Sequence, residues 1–146
     1  MGNDIEELLP HRVPFLFVDE IVEVNEERIV AKYLFTGKEF FFEGHFPAYP
    51  VVPGVILVET MAQSGGAGLR KLGVLGDSSP FFLAAIDKVK FRRQVRPGDE
   101  LRSEIKNLKV SQTLIKQSGR AFVGEELAVE AEWMCLKQSP VLCQPL

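Results

Sequence analysis

The chain has 146 residues, 46% of them apolar, which suffices for one core of ordinary size and leads us to expect one domain over residues 1–146. A formal charge of −3 and a pI near 5.5 argue against a nucleic-acid binder, which carries a basic face over much of its surface. No stretch free of Gly and Pro reaches the roughly twenty apolar residues of a membrane span, and Met1-Gly2-Asn3-Asp4 opens acidic rather than as a signal peptide, so the expected compartment is the cytoplasm.

In chain order, Asn3 or Asp4 is placed to cap a short helix through Ile5-Glu6-Glu7-Leu8-Leu9, stopped by Pro10. Residues 15–24 are rich in β-branched and aromatic types and read as a strand, Asn25-Glu26-Glu27 as a turn, and residues 28–35 as the returning strand of an antiparallel hairpin. Residues 37–52 form a loop rich in Phe, Gly and Pro, and Pro47, Pro50 and Pro53 make it rigid by fixing backbone angles.

Pro53 suits the first turn of a helix that runs to about Lys71. Val55, Val58, Met61, Ala62, Gly65, Gly66 and Leu69 recur at helical spacing, while Ile56, Leu57 and Ala67 fill the other faces. A helix apolar nearly all round belongs in the middle of the molecule. Gly65-Gly66-Ala67-Gly68 lies inside it and follows no strand, so it reads as close packing and not as a phosphate loop.

Gly73 and Gly76 end the helix, and Asp77-Ser78-Ser79-Pro80 leads into a long strand over residues 81–95. Arg96-Pro97-Gly98-Asp99 turns, strands follow at 100–110 and 113–123, Gly124-Glu125-Glu126 turns again, and a last strand covers 127–136. The tail from about 138 reads as loose. One apolar helix against five or six antiparallel strands predicts an α+β fold in which the sheet curls around the helix, with a second copy covering an apolar sheet edge.

Cys135 and Cys143 lack partners for a disulfide framework and are expected to be reduced, Cys135 as a small buried strand residue. His11 and His45 have no Cys or Asp grouped near them at ligand spacing, so no metal and no cofactor is expected. His11 is read as structural.

The chemistry is concentrated between Gly44 and Leu69, where Glu59 is the one charged side chain and stands fourteen residues after His45. A carboxylate in so apolar a stretch costs several kcal/mol unless it is paired, hydrogen-bonded or protonated, and proton transfer is the reason we assign to it.

The segments Gly44-His45-Phe46-Pro47, Pro53-Gly54 and Glu59-Thr60-Met61-Ala62-Gln63 closely resemble the FabZ-type 3-hydroxyacyl-[acyl-carrier-protein] dehydratases of fatty-acid synthesis. Leu9-Pro10-His11-Arg12-Val13-Pro14-Phe15-Leu16, Ile86-Asp87-Lys88-Val89-Lys90-Phe91-Arg92 and Pro97-Gly98-Asp99 extend the resemblance to residues 9–136.

This resemblance implies the hot-dog fold, a long curved antiparallel sheet wrapped around one central helix. It implies conversion of a 3-hydroxyacyl thioester to the trans-2-enoyl thioester plus water, with His45 removing the α-proton and Glu59 helping the β-hydroxyl leave. The amides of Gly54 and Val55, at the helix start, would hold the thioester oxygen as enolate character develops. Each site would take His45 from one chain and Glu59 from the other, in a homodimer grouped into a trimer of dimers.

The acyl tunnel is assigned to Phe46, Val55, Val58, Met61, Phe81, Phe82 and Leu83, and docking of the acidic acyl carrier protein to Lys88, Lys90, Arg92, Arg93 and Arg96. Ala48-Tyr49 departs from the glycine common in the family, and Tyr49 is expected to narrow the entrance. The competing readings are another hot-dog enzyme, either a thioesterase or a dehydratase-isomerase, and a non-catalytic carrier-binding subunit. Glu59 with His45 favours plain dehydration, since relatives that isomerise usually carry aspartate at the helix position, and keeping both residues makes the binding subunit the poorer reading.

Overall fold

The computed structural model describes residues 4–76 and 79–137. The predicted loose tail, residues 77–78 of the predicted loop, Asn3 and Cys143 lie outside that range. The elements are α1 (Asp4–Leu8), β1 (Glu20–Val24), β2 (Arg28–Leu34), a short 3-10 helix (Phe40–Glu43), α2 (Gly54–Leu72), β3 (Phe81–Phe91), β4 (Glu100–Val110), β5 (Leu114–Val123) and β6 (Glu126–Lys137).

The strands form a single six-stranded sheet in the order β1-β2-β4-β5-β6-β3, every neighbouring pair antiparallel. Helix α2 contributes Ile56, Leu57, Met61 and Leu69 to a core that the sheet closes with Ile29, Leu101, Ile105, Val129 and Trp133. The sheet therefore packs its inner face on the helix, as the apolar pattern predicts. A second, smaller cluster joins Ile5 of α1 and Leu9, just after it, to Leu16, Val18 and Ala67, and it holds the segment containing His11 against α2.

The close-packing reading of the glycine run holds at two positions. A β-carbon on Gly68 would lie 2.5 Å from Ile29, and one on Gly65 would overlap the Gln117 side chain. Gly73 ends α2 in the left-handed conformation, φ 81°, with its N–H donating to the carbonyls of Leu69 and Arg70.

Two predicted strands are longer than the observed ones. Residues 15–19 stay out of the sheet because Phe17 N–H donates to Gln63 Oε1 at 2.8 Å and Phe15 C=O accepts from Gln63 Nε2 at 3.0 Å. A side chain of α2 takes the backbone groups that a neighbouring strand would need. Likewise β3 ends at Phe91 instead of continuing to 95, because the amides of Arg92 and Arg93 converge on the carbonyl of Ala128 and the chain leaves the ladder. Val95 then accepts from Val52 N–H at 2.8 Å, which ties this exit segment to the loop before α2.

Substitution Gly68→Ala is expected to lower stability by about 1 to 3 kcal/mol, because the added methyl must displace Ile29 in a packed core. A shift of the urea midpoint at unchanged slope measures it.

Candidate active site

His45 sits in the loop that leads into α2, half-buried, with its ring stacked on Phe46 at 4.3 Å between centroids. The backbone around it is closely tied. Val51 N–H donates to the His45 carbonyl at 2.9 Å, and Phe46 and Tyr49 exchange both of their N–H to C=O bonds. His45 Nδ1 lies 3.0 Å from the carbonyl oxygen of Val51. That oxygen can only accept, so the bond requires the hydrogen on Nδ1 and leaves the lone pair of a neutral ring on Nε2. The loop thus sets the tautomer of an imidazole whose free nitrogen is Nε2.

Glu59 lies one and a half turns into α2, its side chain 21% exposed. The sequence presents it as a carboxylate alone among apolar residues, and the structure corrects that picture by giving it polar company. Gln63, one turn on, donates from Nε2 to Glu59 Oε2 at 2.9 Å. The orientation of this amide is forced, because Phe17 offers only a donor to Oε1 and Phe15 only an acceptor to Nε2. Oε2 of Glu59 is therefore an acceptor, and a proton carried by the carboxyl belongs on Oε1.

His11 Nε2 stands 3.6 Å from the same Oε2, too far for a hydrogen bond but close enough for the charge of one to be felt by the other. Its Nδ1 is enclosed without a hydrogen-bond partner among the described residues. Burial holds His11 below the ordinary imidazole range; the Glu59 charge opposes that and the Arg12 charge adds to it.

Gln63 and His11 are the residues that sequence reading missed. For Gln63 a signal existed, since four residues after Glu59 on a helix means the same face. For His11, the smaller core cluster that brings it to α2 has no local trace in the chain.

Glu59, His11 and Gln63 open into a cavity of about 230 Å³, whose walls include Leu9, Phe81, Phe82, Leu83, Gln117 and Cys135. Of the predicted tunnel residues, Phe81, Phe82 and Leu83 line this cavity, Val58 and Met61 are buried in α2, and Phe46 and Val55 lie exposed on the surface. His45 is not part of the cavity wall within one chain.

At the start of α2, Ile56 and Leu57 both donate to the Pro53 carbonyl, and the amides of Gly54 and Val55 have no acceptor among the described residues. The reason for a glycine at 54 is visible: a β-carbon there would lie 2.8 Å from the ring of Phe91. The basic residues at 88–96 are largely engaged, Lys88 with Glu132 at 3.2 Å, Arg92 with Glu130 at 3.2 Å and Arg93 with Asp99 and Glu126. Arg96 lies over the ring of Tyr49 at 4.0 Å, and Lys90 has no ion-pair partner among the described residues.

Strand β3 ends the sheet order and has β6 on one side only. Its side chains Phe82 (49% exposed), Leu83, Ile86 and Phe91 (54%) face solvent. Among the described residues no helix is long and apolar enough to cross a membrane.

Comparison with known proteins places these features in context. A family model described as a FabA-like domain matches residues 9–132. A curated 3-hydroxyacyl-[acyl-carrier-protein] dehydratase FabZ from Desulforamulus reducens is 50% identical over 133 residues, covering 90% of this chain and 93% of its own. Its counterpart from Pelotomaculum thermopropionicum is 47% identical over 133 residues, with 90% and 94% covered.

Among solved structures, the dehydratase heterocomplex ApeI:P from Xenorhabdus doucetiae superposes with a TM-score of 0.78 at 17% identity, covering 94% of this chain and 92% of that one. The PaaI protein of Escherichia coli superposes at 0.61 with 13% identity, covering 80% and 81%. At these identities the structural likeness establishes a shared fold.

Burial, reinforced by the Glu59 charge, pushes the Cys135 thiol up to about 12. At pH 8 the thiolate fraction is then about one in ten thousand. Alkylation of native protein by iodoacetamide at pH 8, followed by peptide mapping, is expected to leave Cys135 unmodified for hours and to label it promptly once urea unfolds the chain.

Proposed function

The chain belongs to the FabA-like domain family and, within it, to the FabZ-type 3-hydroxyacyl-[acyl-carrier-protein] dehydratases, and from that membership we propose how its residues carry out the dehydration. The substrate is a 3-hydroxyacyl thioester borne by acyl carrier protein, and the products are the trans-2-enoyl thioester and water in fatty-acid biosynthesis.

His45 takes the proton from the α-carbon with Nε2, the nitrogen that the Val51 carbonyl leaves free. As the C–H pair moves toward the α-carbon, negative charge builds on the thioester oxygen, and the amides of Gly54 and Val55, without an acceptor among the described residues, receive it at the positive end of α2. Glu59 protonates the β-hydroxyl from Oε1, the oxygen that Gln63 leaves open, and the C–O pair departs with water as the double bond closes. One donor of the kind offered by Gly54 is worth on the order of 3 kcal/mol in such a transition state.

The observation that carries this reading is the fixed bonding of the two groups, with one nitrogen and one carboxyl oxygen left free for transfer. Because His45 does not line the cavity holding Glu59 in its own chain, we assign each site to two chains, His45 from one and Glu59 from its partner. The exposed apolar row on β3 supports pairing of that edge with a second copy, which removes both the edge and the patch from water. Grouping of the dimers into a hexamer and a cytoplasmic location complete the proposal.

The acyl chain enters the cavity beside Phe81, Phe82 and Leu83. Docking of an acidic carrier falls to Lys88, Lys90, Arg92 and Arg93. Ion pairs on exposed side chains are worth about 0 to 1 kcal/mol, so the existing ones are readily exchanged for a partner's carboxylates.

His45→Ala and Glu59→Gln are each expected to lower turnover by about a thousandfold while the assembly elutes unchanged in gel filtration. Hydration of a crotonyl thioester, followed at the enoyl absorbance band, measures it, and release of free thiol in place of that change would assign a thioesterase.

A further inference from the structure

We propose that Tyr49 is a positioning residue for His45, clamped in place by Arg96, and that Arg96 therefore stands outside the carrier-docking set. The proposal rests on the reading of His45 as the base. The sequence leads one to expect Tyr49 at the substrate entrance. In the structure its side chain is instead committed to the segment that leaves β3: the phenol donates to Gln94 Oε1 at 2.9 Å, and the half-buried Arg96 guanidinium lies over its ring at 4.0 Å. Three residues on, Val52 N–H donates to the carbonyl of Val95, the residue between those two partners.

Val51 lies between these two ties, and Val51 is what holds His45. Its N–H donates to the His45 carbonyl at 2.9 Å, and its own carbonyl accepts from Nδ1. Tyr49 also closes the turn from the other side through its reciprocal backbone bonds with Phe46. The segment on which the clamp rests is anchored in turn. Arg96 N–H donates to Asp99 Oδ2 at 2.9 Å, Asp99 N–H returns a bond to the Arg96 carbonyl at 3.0 Å, and Phe35 exchanges both of its backbone bonds with Gly98 and Asp99.

A support line thus runs from the buried Phe35, through the turn at 96–99, to the ring of Tyr49, the carbonyl of Val51 and the imidazole of His45. Releasing Tyr49 frees one side of Val51. The Val51 carbonyl then wanders, and with it the preference for the tautomer that leaves Nε2 unprotonated. A cation stacked on an aromatic face, on a residue whose backbone is hydrogen-bonded into a turn, is held over that ring, whereas a docking cation must reach into solvent toward its partner.

The test compares Tyr49→Ala, Tyr49→Phe, Arg96→Ala and the double variant Tyr49→Ala/Arg96→Ala on two substrates, a 3-hydroxyacyl thioester of acyl carrier protein and the same acyl group on coenzyme A. The expected result is a fall in kcat of about tenfold on both substrates for Tyr49→Ala and Arg96→Ala, with KM for the carrier-borne substrate within about twofold of the parent. The double variant falls no further than either single change, since both remove one clamp. Tyr49→Phe, which keeps the ring under Arg96, retains most of the rate. Nitrogen-15 NMR of the imidazole is expected to show the Nδ1–H tautomer of His45 in the parent and a mixture in Tyr49→Ala.

A rise in KM confined to the carrier-borne substrate in Arg96→Ala would return Arg96 to docking and overturn the proposal. Parental kcat in Tyr49→Ala, with His45→Ala inactive in the same assay, would overturn the clamp while sparing the base. Activity retained in His45→Ala would instead remove the reading on which the clamp rests.

Discussion

Helix α2 has almost no face suited to water, and the need to cover it on every side organises the rest of the molecule. A sheet that curls can cover most of a helix, and six antiparallel strands do so here, drawn close at Gly65 and Gly68 where any side chain would hold them off. The start of the helix, where the amides of Gly54 and Val55 have no acceptor among the described residues, and the edge at β3, where Phe82, Leu83, Ile86 and Phe91 meet solvent, remain open. Both openings carry the proposed chemistry, one as the anion-holding end and the other as the surface that calls for a second chain.

The polar groups of the site are oriented by partners that allow no alternative. A carbonyl accepts and an amide N–H donates, so Val51 dictates where the hydrogen of His45 lies, and Phe15 with Phe17 dictates which way Gln63 turns. The consequence reaches Glu59, whose Oε2 accepts from Gln63 and whose Oε1 is the oxygen the proposal assigns to proton transfer. The same bonds shape the fold, since residues 15–19 give up a place in the sheet to hold Gln63. Local structure and proton placement are here one arrangement, in keeping with the positioning of reacting groups ahead of the reaction.

Much of this was legible in the chain. The period of α2, its proline entry and glycine exit, the hairpin turn at Asn25, whose Oδ1 accepts from Glu27 and Arg28, and the four long strands all follow from local chemistry. His45 and Glu59 stood out by type and spacing, and the family resemblance supplied their roles. What stayed hidden depends on distant contacts. Nothing in residues 15–19 shows that a glutamine 46 residues on will take their backbone bonds, and nothing around His11 shows that it will face Glu59. Nor does Tyr49 announce in sequence that it belongs with Arg96. Apolar periodicity encodes which faces are buried; it does not encode which polar atom meets which.

The claim on which the account turns is that each site is shared between two chains. Mixing His45→Ala protein with Glu59→Gln protein, after mild dissociation and reassembly, tests it most directly. In a mixed dimer one site joins the intact His45 of one chain to the intact Glu59 of the other, so random reassortment predicts recovery of about a quarter of the parental hydratase rate from two inactive samples. If His45 and Glu59 acted within a single chain, no mixed dimer would hold a complete site, and the mixture would stay as inactive as its components.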